Sequence, residues 1–156
     1  MPPVADTHET DSYWMRIALN AARQAELAEE VPVGAIVVAG DRPIAIGANR
    51  TITDNDPTAH AEMIALRAAA KELGNYRLTG ATMYVTIEPC AMCAGALLQA
   101  RIDRLVYGAD DSKGGAIRSC FAILDHPGIN HSIAVSSGVL AEECAAILQS
   151  FFSARR

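Results

Sequence analysis

His60-Ala61-Glu62 and Pro89-Cys90-Ala91-Met92-Cys93 constrain this chain more than any other feature, because their donor atoms are useful only if the fold brings two distant segments to one point. Together they offer one imidazole, two thiols and a carboxylate. A structural zinc site closes its tetrahedron with four protein ligands, whereas a hydrolytic one keeps a position for water. Here His60, Cys90 and Cys93 make three, and neither Cys120 nor Cys144 stands at a recognisable ligand spacing for a fourth. Glu62, two residues from His60, is then free to handle the protons of a water molecule. A C-x-x-C alone could be a redox pair, and Glu62 alone could be a first-turn acid favouring the helix dipole. Taken together, the two motifs point to a catalytic metal centre with one Zn2+ per chain.

Hydrophobic spacing predicts where these motifs sit. A helix is expected over residues 12–29, capped by Thr10 or Asp11, followed by strands at 33–39 and 43–48 that turn at Gly40-Asp41. A second helix is expected over 58–73 with Gly74 as its C-cap, then a strand at 82–87 and a helix over 91–100. A strand at 104–107, a Gly-rich loop, a short strand at 132–135 and a helix over 140–152 complete the chain. The resulting class is α/β, a mixed sheet flanked by helices, forming one domain over 1–156 with a flexible segment at 1–11. Both metal motifs then begin helices. Unpaired N–H groups there favour thiolate at Cys90 and Cys93 and neutral imidazole at His60, the forms zinc requires.

Composition narrows the class of partner. The chain is 51% apolar and 20% charged, with short, interrupted apolar stretches, so no membrane span is expected. Its N-terminus has neither the basic start nor the apolar core of a targeting signal, and a cytoplasmic protein is expected. In a reducing compartment the C-x-x-C favours metal over disulfide. A net charge of −5 counts against nonspecific coating of nucleic acid, though not against a local basic patch. Candidates for such a patch are Arg101, Arg104, Lys113, Arg118, Arg155 and Arg156, partly offset by Asp103, Asp110 and Asp111. Cys144 shares a helical face with Leu140, Ile147 and Leu148 and reads as a core thiol; Cys120 has no role that the sequence assigns.

Three segments carry a resemblance to a known family: Pro57-Thr58-Ala59-His60-Ala61-Glu62, Glu88-Pro89-Cys90-Ala91-Met92-Cys93-Ala94-Gly95-Ala96 and His126-Pro127-Gly128-Ile129-Asn130-His131. They resemble the bacterial tRNA-specific adenosine deaminases of the cytidine-deaminase-like superfamily, and the similarity runs from Trp14 to Arg156. H-x-E with P-C-x-x-C is the signature of zinc nucleobase deaminases at large. Val31-Pro32-Val33-Gly34-Ala35, Asn49-Arg50, Asn75-Tyr76-Arg77-Leu78 and the Phe151-Phe152 ending make the tRNA enzymes the nearest match. The resemblance implies a three-layer cytidine-deaminase-like fold with a five-stranded sheet. It also implies a homodimer that converts the wobble adenosine of a tRNA anticodon stem-loop, in the family's usual case an arginine tRNA, to inosine. His60, Cys90 and Cys93 would bind zinc and Glu62 would move protons. Asn49 would hydrogen-bond the target base, with the backbone at Ala61 and Pro89 aligned to its reacting edge. Asp111 and Lys113 match a loop that contacts RNA, and Phe152 and Arg155 match a terminal helix that closes over it. Asp110, Arg118 and Asp125 depart from the family pattern.

Two alternatives share part of this signature. A free nucleobase or nucleoside deaminase, acting on guanine or cytosine, would use the same zinc residues without an RNA rim. A noncatalytic zinc-stabilised module would keep the metal and dispense with Glu62.

Overall fold

The computed structural model describes residues 7–155. Residues 1–6, most of the segment expected to be flexible, and Arg156 lie outside the described residues. The elements run α1 (Thr7–Leu27), β1 (Gly34–Ala39), β2 (Arg42–Ala48), α2 (Ala61–Leu73), β3 (Ala81–Ile87), α3 (Ala91–Gln99), β4 (Arg104–Ala109), β5 (Ala134–Ser136) and α4 (Ala141–Ser153), with a 3-10 turn at Ile123–Asp125 before β5. One mixed five-stranded sheet has the order β2-β1-β3-β4-β5. The β1–β2 and β1–β3 pairs are antiparallel, and β3–β4 and β4–β5 are parallel.

Alternation along the strands divides the core into two. Ala35, Val37, Met83, Val85, Leu105 and Tyr107 face one side, where they pack with Ala61, Ala65 and Ala69 of α2 and with Ala94 and Leu97 of α3. Ile36, Val38, Tyr84 and Val106 face the other, against Trp14, Met15, Ala18 and Leu19 of α1 and Cys144 of α4. Three layers result, as expected. Each large side chain so buried contributes about 1.5–3 kcal/mol. Alanine faces let the helices sit unusually close to the sheet, and two strand glycines make room. A Cβ at Gly34 would lie 2.6 Å from the Ala22 nitrogen of α1, and one at Gly47 would lie 2.7 Å from the Ala65 nitrogen of α2.

Several boundaries differ from expectation for local reasons. Helix α1, described over Thr7–Leu27, takes in Asp11, which therefore is not its cap. Its buried carboxylate accepts hydrogen bonds from Tyr84 Oη at 2.9 Å and from Arg104 Nη1 and Nη2 at 2.8 and 2.7 Å. The helix stops at Leu27, and Glu29 is left-handed with φ 63°. Strand β2 gains Arg42 because Gly40, at φ 62°, closes a two-residue hairpin. Pro43 is accommodated on this edge strand beside a register shift at Val37/Val38. Residues 58–60 stay outside α2 because Asp56 captures the Thr58 N–H and hydroxyl at 2.8 and 2.7 Å. Gly74 is the left-handed C-cap, with φ 66°. Cys144 is fully buried, as its helical face suggested, and burial pushes its thiol up to about 12.

Candidate active site

The parallel pair β3–β4 delivers the site at its carboxyl end, the usual position in sheets of this kind. Strand β3 ends at Ile87, and Glu88-Pro89 lead directly into α3; β4 ends at Ala109, and the next loop crosses in front. Cys90 is the N-cap of α3 and His60 the N-cap of α2, each with extended backbone and no side-chain capping hydrogen bond. Their side chains turn instead toward each other. His60 Nδ1 lies 3.6 Å from Cys90 Sγ and 3.7 Å from Cys93 Sγ, and the three donor atoms fall within 4.8 Å of one another. Tetrahedral zinc, with bonds of about 2.3 Å to sulfur and 2.0 Å to nitrogen, sets S and N about 3.5 Å apart. The donor set fits that ion, and among the described residues no fourth His, Cys, Asp or Glu joins it.

For the protein groups alone, electrostatics give the thiolate expected at Cys90 but not the forms expected at Cys93 and His60. Hydrogen bonds with Cys93 and then His60 pull the Cys90 thiol down to about 3. The Cys93 thiol is pushed up by its bond to Cys90 and by burial, so a cation is what lets both sulfurs ionise together. His60 is held above its ordinary value, chiefly by the Cys90 contact. Glu62, in the first turn of α2 and 3% exposed, has its carboxyl pushed up to about 7 by burial, with the nearby Cys90 charge adding to the rise. A carboxyl poised near neutrality can both take and return a proton.

These groups open into a cavity of about 630 Å³, inside the roughly 300–1,000 Å³ span of small-molecule sites. His60, Glu62, Cys90, Asn49, Asp111, Lys113, Phe152 and Arg155 all line it, together with Val31, Val33, Ile87, Glu88 and Leu148. Cys93, Ala61 and Pro89 are buried and do not line the cavity. Backbone groups of the last two are engaged within the protein: the Ala61 N–H donates to Asn49 Oδ1 at 2.8 Å, and the Pro89 carbonyl accepts from the Ala116 N–H at 2.8 Å. The first contact fixes Asn49, leaving its amide NH2 as the donor available to a ligand. On the far wall Phe152 is 47% exposed, while Arg155 stacks over the buried Phe151 ring at 3.5 Å and donates to the Phe151 carbonyl.

The remaining basic candidates disperse. Arg104 is committed to Asp11 and to Ser136 Oγ, so it is part of the core and not of a nucleic-acid surface. Arg118 donates to Ser137 Oγ at 3.3 Å and does not line the cavity. Arg101 lines a separate polar cavity with Arg77 and His131. The Cys120 thiol is exposed and meets the Ser112 carbonyl at 3.2 Å.

Two acids without an expected role prove to hold the rim. Glu30, 1% exposed, accepts hydrogen bonds from the Ile52 and Thr53 N–H groups at 3.2 and 2.6 Å and from the Thr53 hydroxyl at 2.6 Å. It thereby fixes the loop that follows Asn49. Burial opposes its ionisation, but these bonds hold it below the ordinary carboxylate range. Glu88, 2% exposed, does the same for the loop after β4; against the opposing effect of burial, bonds from Arg118 and Ser119 hold it down to about 2. No spacing rule marks either residue in the sequence, although Glu88 stands beside the Pro89-Cys90 motif.

Comparison with known proteins follows this geometry. Residues 8–109 match the family model described as the cytidine and deoxycytidylate deaminase zinc-binding region. The chain is 54% identical over 149 residues to a tRNA-specific adenosine deaminase of Haemophilus influenzae, covering 95% of this chain and 86% of the relative. It is 44% identical over 142 residues to the tRNA-specific adenosine deaminase of Bacillus subtilis, covering 91% and 88%. A solved structure from work on A-to-I editing by tRNA:A34 deaminases at the wobble position of transfer RNA superposes with TM-score 0.85 at 48% identity, covering 88% of this chain and 99% of that one. A guanine deaminase from Nitrosomonas europaea shares the fold, with TM-score 0.76 at 24% identity over 98% of this chain and 88% of that one. With its three-ligand zinc cluster, buried glutamate and three-layer sheet, the chain belongs to the tRNA-specific adenosine deaminase family, within the group that carries the cytidine and deoxycytidylate deaminase zinc-binding region.

Proposed function

We propose that this protein hydrolytically deaminates the wobble adenosine of a tRNA anticodon to inosine. The observation that carries the proposal is the pairing of a buried proton-handling Glu62 with a three-ligand zinc cluster in one cavity, whose wall also bears Asn49, Lys113, Phe152 and Arg155. Zinc, held by His60, Cys90 and Cys93, supplies the Lewis acidity that makes water nucleophilic near neutral pH. Glu62 takes a proton from water as its oxygen adds at C6 of adenine and gives that proton to the ring nitrogen; it then takes the proton of the new C6 hydroxyl and gives it to the amine, which leaves as ammonia as the C6 carbonyl forms. The Asn49 amide, oriented by its bond to Ala61, donates to the base and fixes its angle to Glu62.

An adenosine stacked in an anticodon loop must be splayed into the cavity, at a cost of about a few kcal/mol. Contacts to the neighbouring nucleotides offset it. Phe152 lining the cavity supports a stacking role, and Lys113 and Arg155 on the same wall support contacts to phosphate, with Asp111 Oδ1 accepting from the Lys113 N–H at 3.0 Å. We further propose that the whole chain acts as one deaminase domain, that it works as a homodimer in the cytoplasm, and that arginine tRNA is its substrate. Among the described residues no helix is long and apolar enough to cross a membrane.

Substrate comparison tests this proposal. An anticodon stem-loop with adenosine at the wobble position is expected to be deaminated with kcat/KM at least about 100-fold above free adenosine, cytidine or guanine, because contacts beyond the base position it. Equal or better kcat/KM on guanine or a free nucleoside would replace the tRNA assignment with a salvage deaminase.

A further inference from the structure

We infer that Glu88 is a positioning residue whose buried carboxylate fixes the 111–119 loop, and with it Asp111 and Lys113, in register with the zinc motif. The kinetic part of this inference rests on the RNA function proposed above; its structural part does not.

The loop after β4 has no helix or strand of its own before the 3-10 turn at Ile123–Asp125, so its shape must come from elsewhere. Much of it comes from one carboxylate. Glu88 Oε1 accepts from the Asp111 N–H at 3.0 Å and from the Ser119 hydroxyl. Glu88 Oε2 accepts from the N–H groups of Ile117, Arg118 and Ser119 at 3.1, 2.8 and 2.9 Å. The loop closes so tightly that a Cβ at Gly115 would lie 2.5 Å from Glu88 Oε2. Glu88 itself is anchored, since its N–H donates to the Ala109 carbonyl of β4 at 2.8 Å. Only Pro89 separates it from Cys90, and the Pro89 carbonyl holds the Ala116 N–H.

No ion pair among the described residues involves Glu88, so backbone N–H groups and one hydroxyl alone balance its charge. A carboxylate has about four acceptor sites, and five donors already address this one. Although it lines the cavity, Glu88 therefore has no acceptor capacity left for a substrate. Its effect reaches the reaction through the loop.

Glu88→Gln places an NH2 donor against backbone donors while preserving shape. With zinc still at one per chain, amide exchange at residues 117–119 is expected to speed up at least about 10-fold, while α2 and α3 keep their protection. KM for the stem-loop is expected to rise at least about 10-fold, with kcat within about threefold, a split that general destabilisation would not produce. Unchanged exchange at 117–119, or zinc loss with a collapse of kcat, would overturn the inference. If Glu88→Gln does not fold, Gly115→Ala strains the same contact from the loop side and must give the same exchange and KM changes; normal values in that variant would also overturn it. Absence of stem-loop deamination by the unaltered protein would defeat the proposed function, and loop exchange would then decide the role of Glu88 alone.

Discussion

Replacing Glu62 by glutamine is expected to leave the protein folded and loaded with one zinc per chain while deamination falls at least about 100-fold, the low end for a general acid–base group. That loss corresponds to about 2.7 kcal/mol of transition-state stabilisation. Glu62 is 3% exposed and no member of the three-donor cluster, so the change removes a titrating oxygen without removing a ligand. Glutamine fills the same volume and cannot carry a proton between water and amine. Metal analysis alongside single-turnover kinetics separates the outcomes. Turnover within about threefold of the unaltered protein would remove Glu62 from the proton path, because such a group is worth about 10²–10⁴-fold.

The second large effect falls on stability. His60→Ala or Cys90→Ala is expected to abolish stoichiometric zinc and to lower the Tm by roughly 8–16 °C. At free zinc about 1,000 times its Kd, binding contributes about 4 kcal/mol to the folded state, and each kcal/mol shifts a chain of this size by about 2–4 °C. The ion joins the N-termini of α2 and α3, and these two helices cover the same face of the sheet. Cys120→Ala, which alters an exposed thiol outside the cluster, provides the control and should retain both zinc and Tm. Full zinc in either ligand variant, measured by metal analysis after dialysis against chelator, would reject the ligand assignment.

What could be read from the chain alone follows from which forces are local. Periodic apolar spacing located every strand and helix of the sheet and its covering layers, because each side chain's direction is set by its neighbours in sequence. The zinc ligands were legible for a similar reason: their spacing at two helix starts is a local property. Element ends were less legible, since they depend on single contacts such as Asp56 with Thr58 or the left-handed Glu29. Asp11 read as a helix cap because a short acid near a helix start usually is one; only the arrival of Arg104 and Tyr84 from the sheet makes it a core residue. Arg104, read as surface charge, fails as a rim residue through the same contact. Glu30 and Glu88 were invisible as organisers because their partners are mostly backbone N–H groups, which every residue but proline carries.

Function divides along the same line. The zinc ligands His60 and Cys90 converge with Glu62 and Asn49 on one cavity because helix starts and a strand end place them, whereas Lys113 and Asp111 reach it on a loop held by Glu88. The zinc ligands are thus positioned by helix starts, and the loop that carries Asp111 and Lys113 by a buried carboxylate.

The most direct measurement is to incubate the zinc-loaded protein with total tRNA and sequence the products for adenosine-to-inosine conversion at single-nucleotide resolution. Inosine appearing at the wobble position of one or a few tRNAs, and absent with Glu62→Gln, is the result expected. Conversion at no tRNA position while free guanine, cytidine or adenosine is consumed would contradict it.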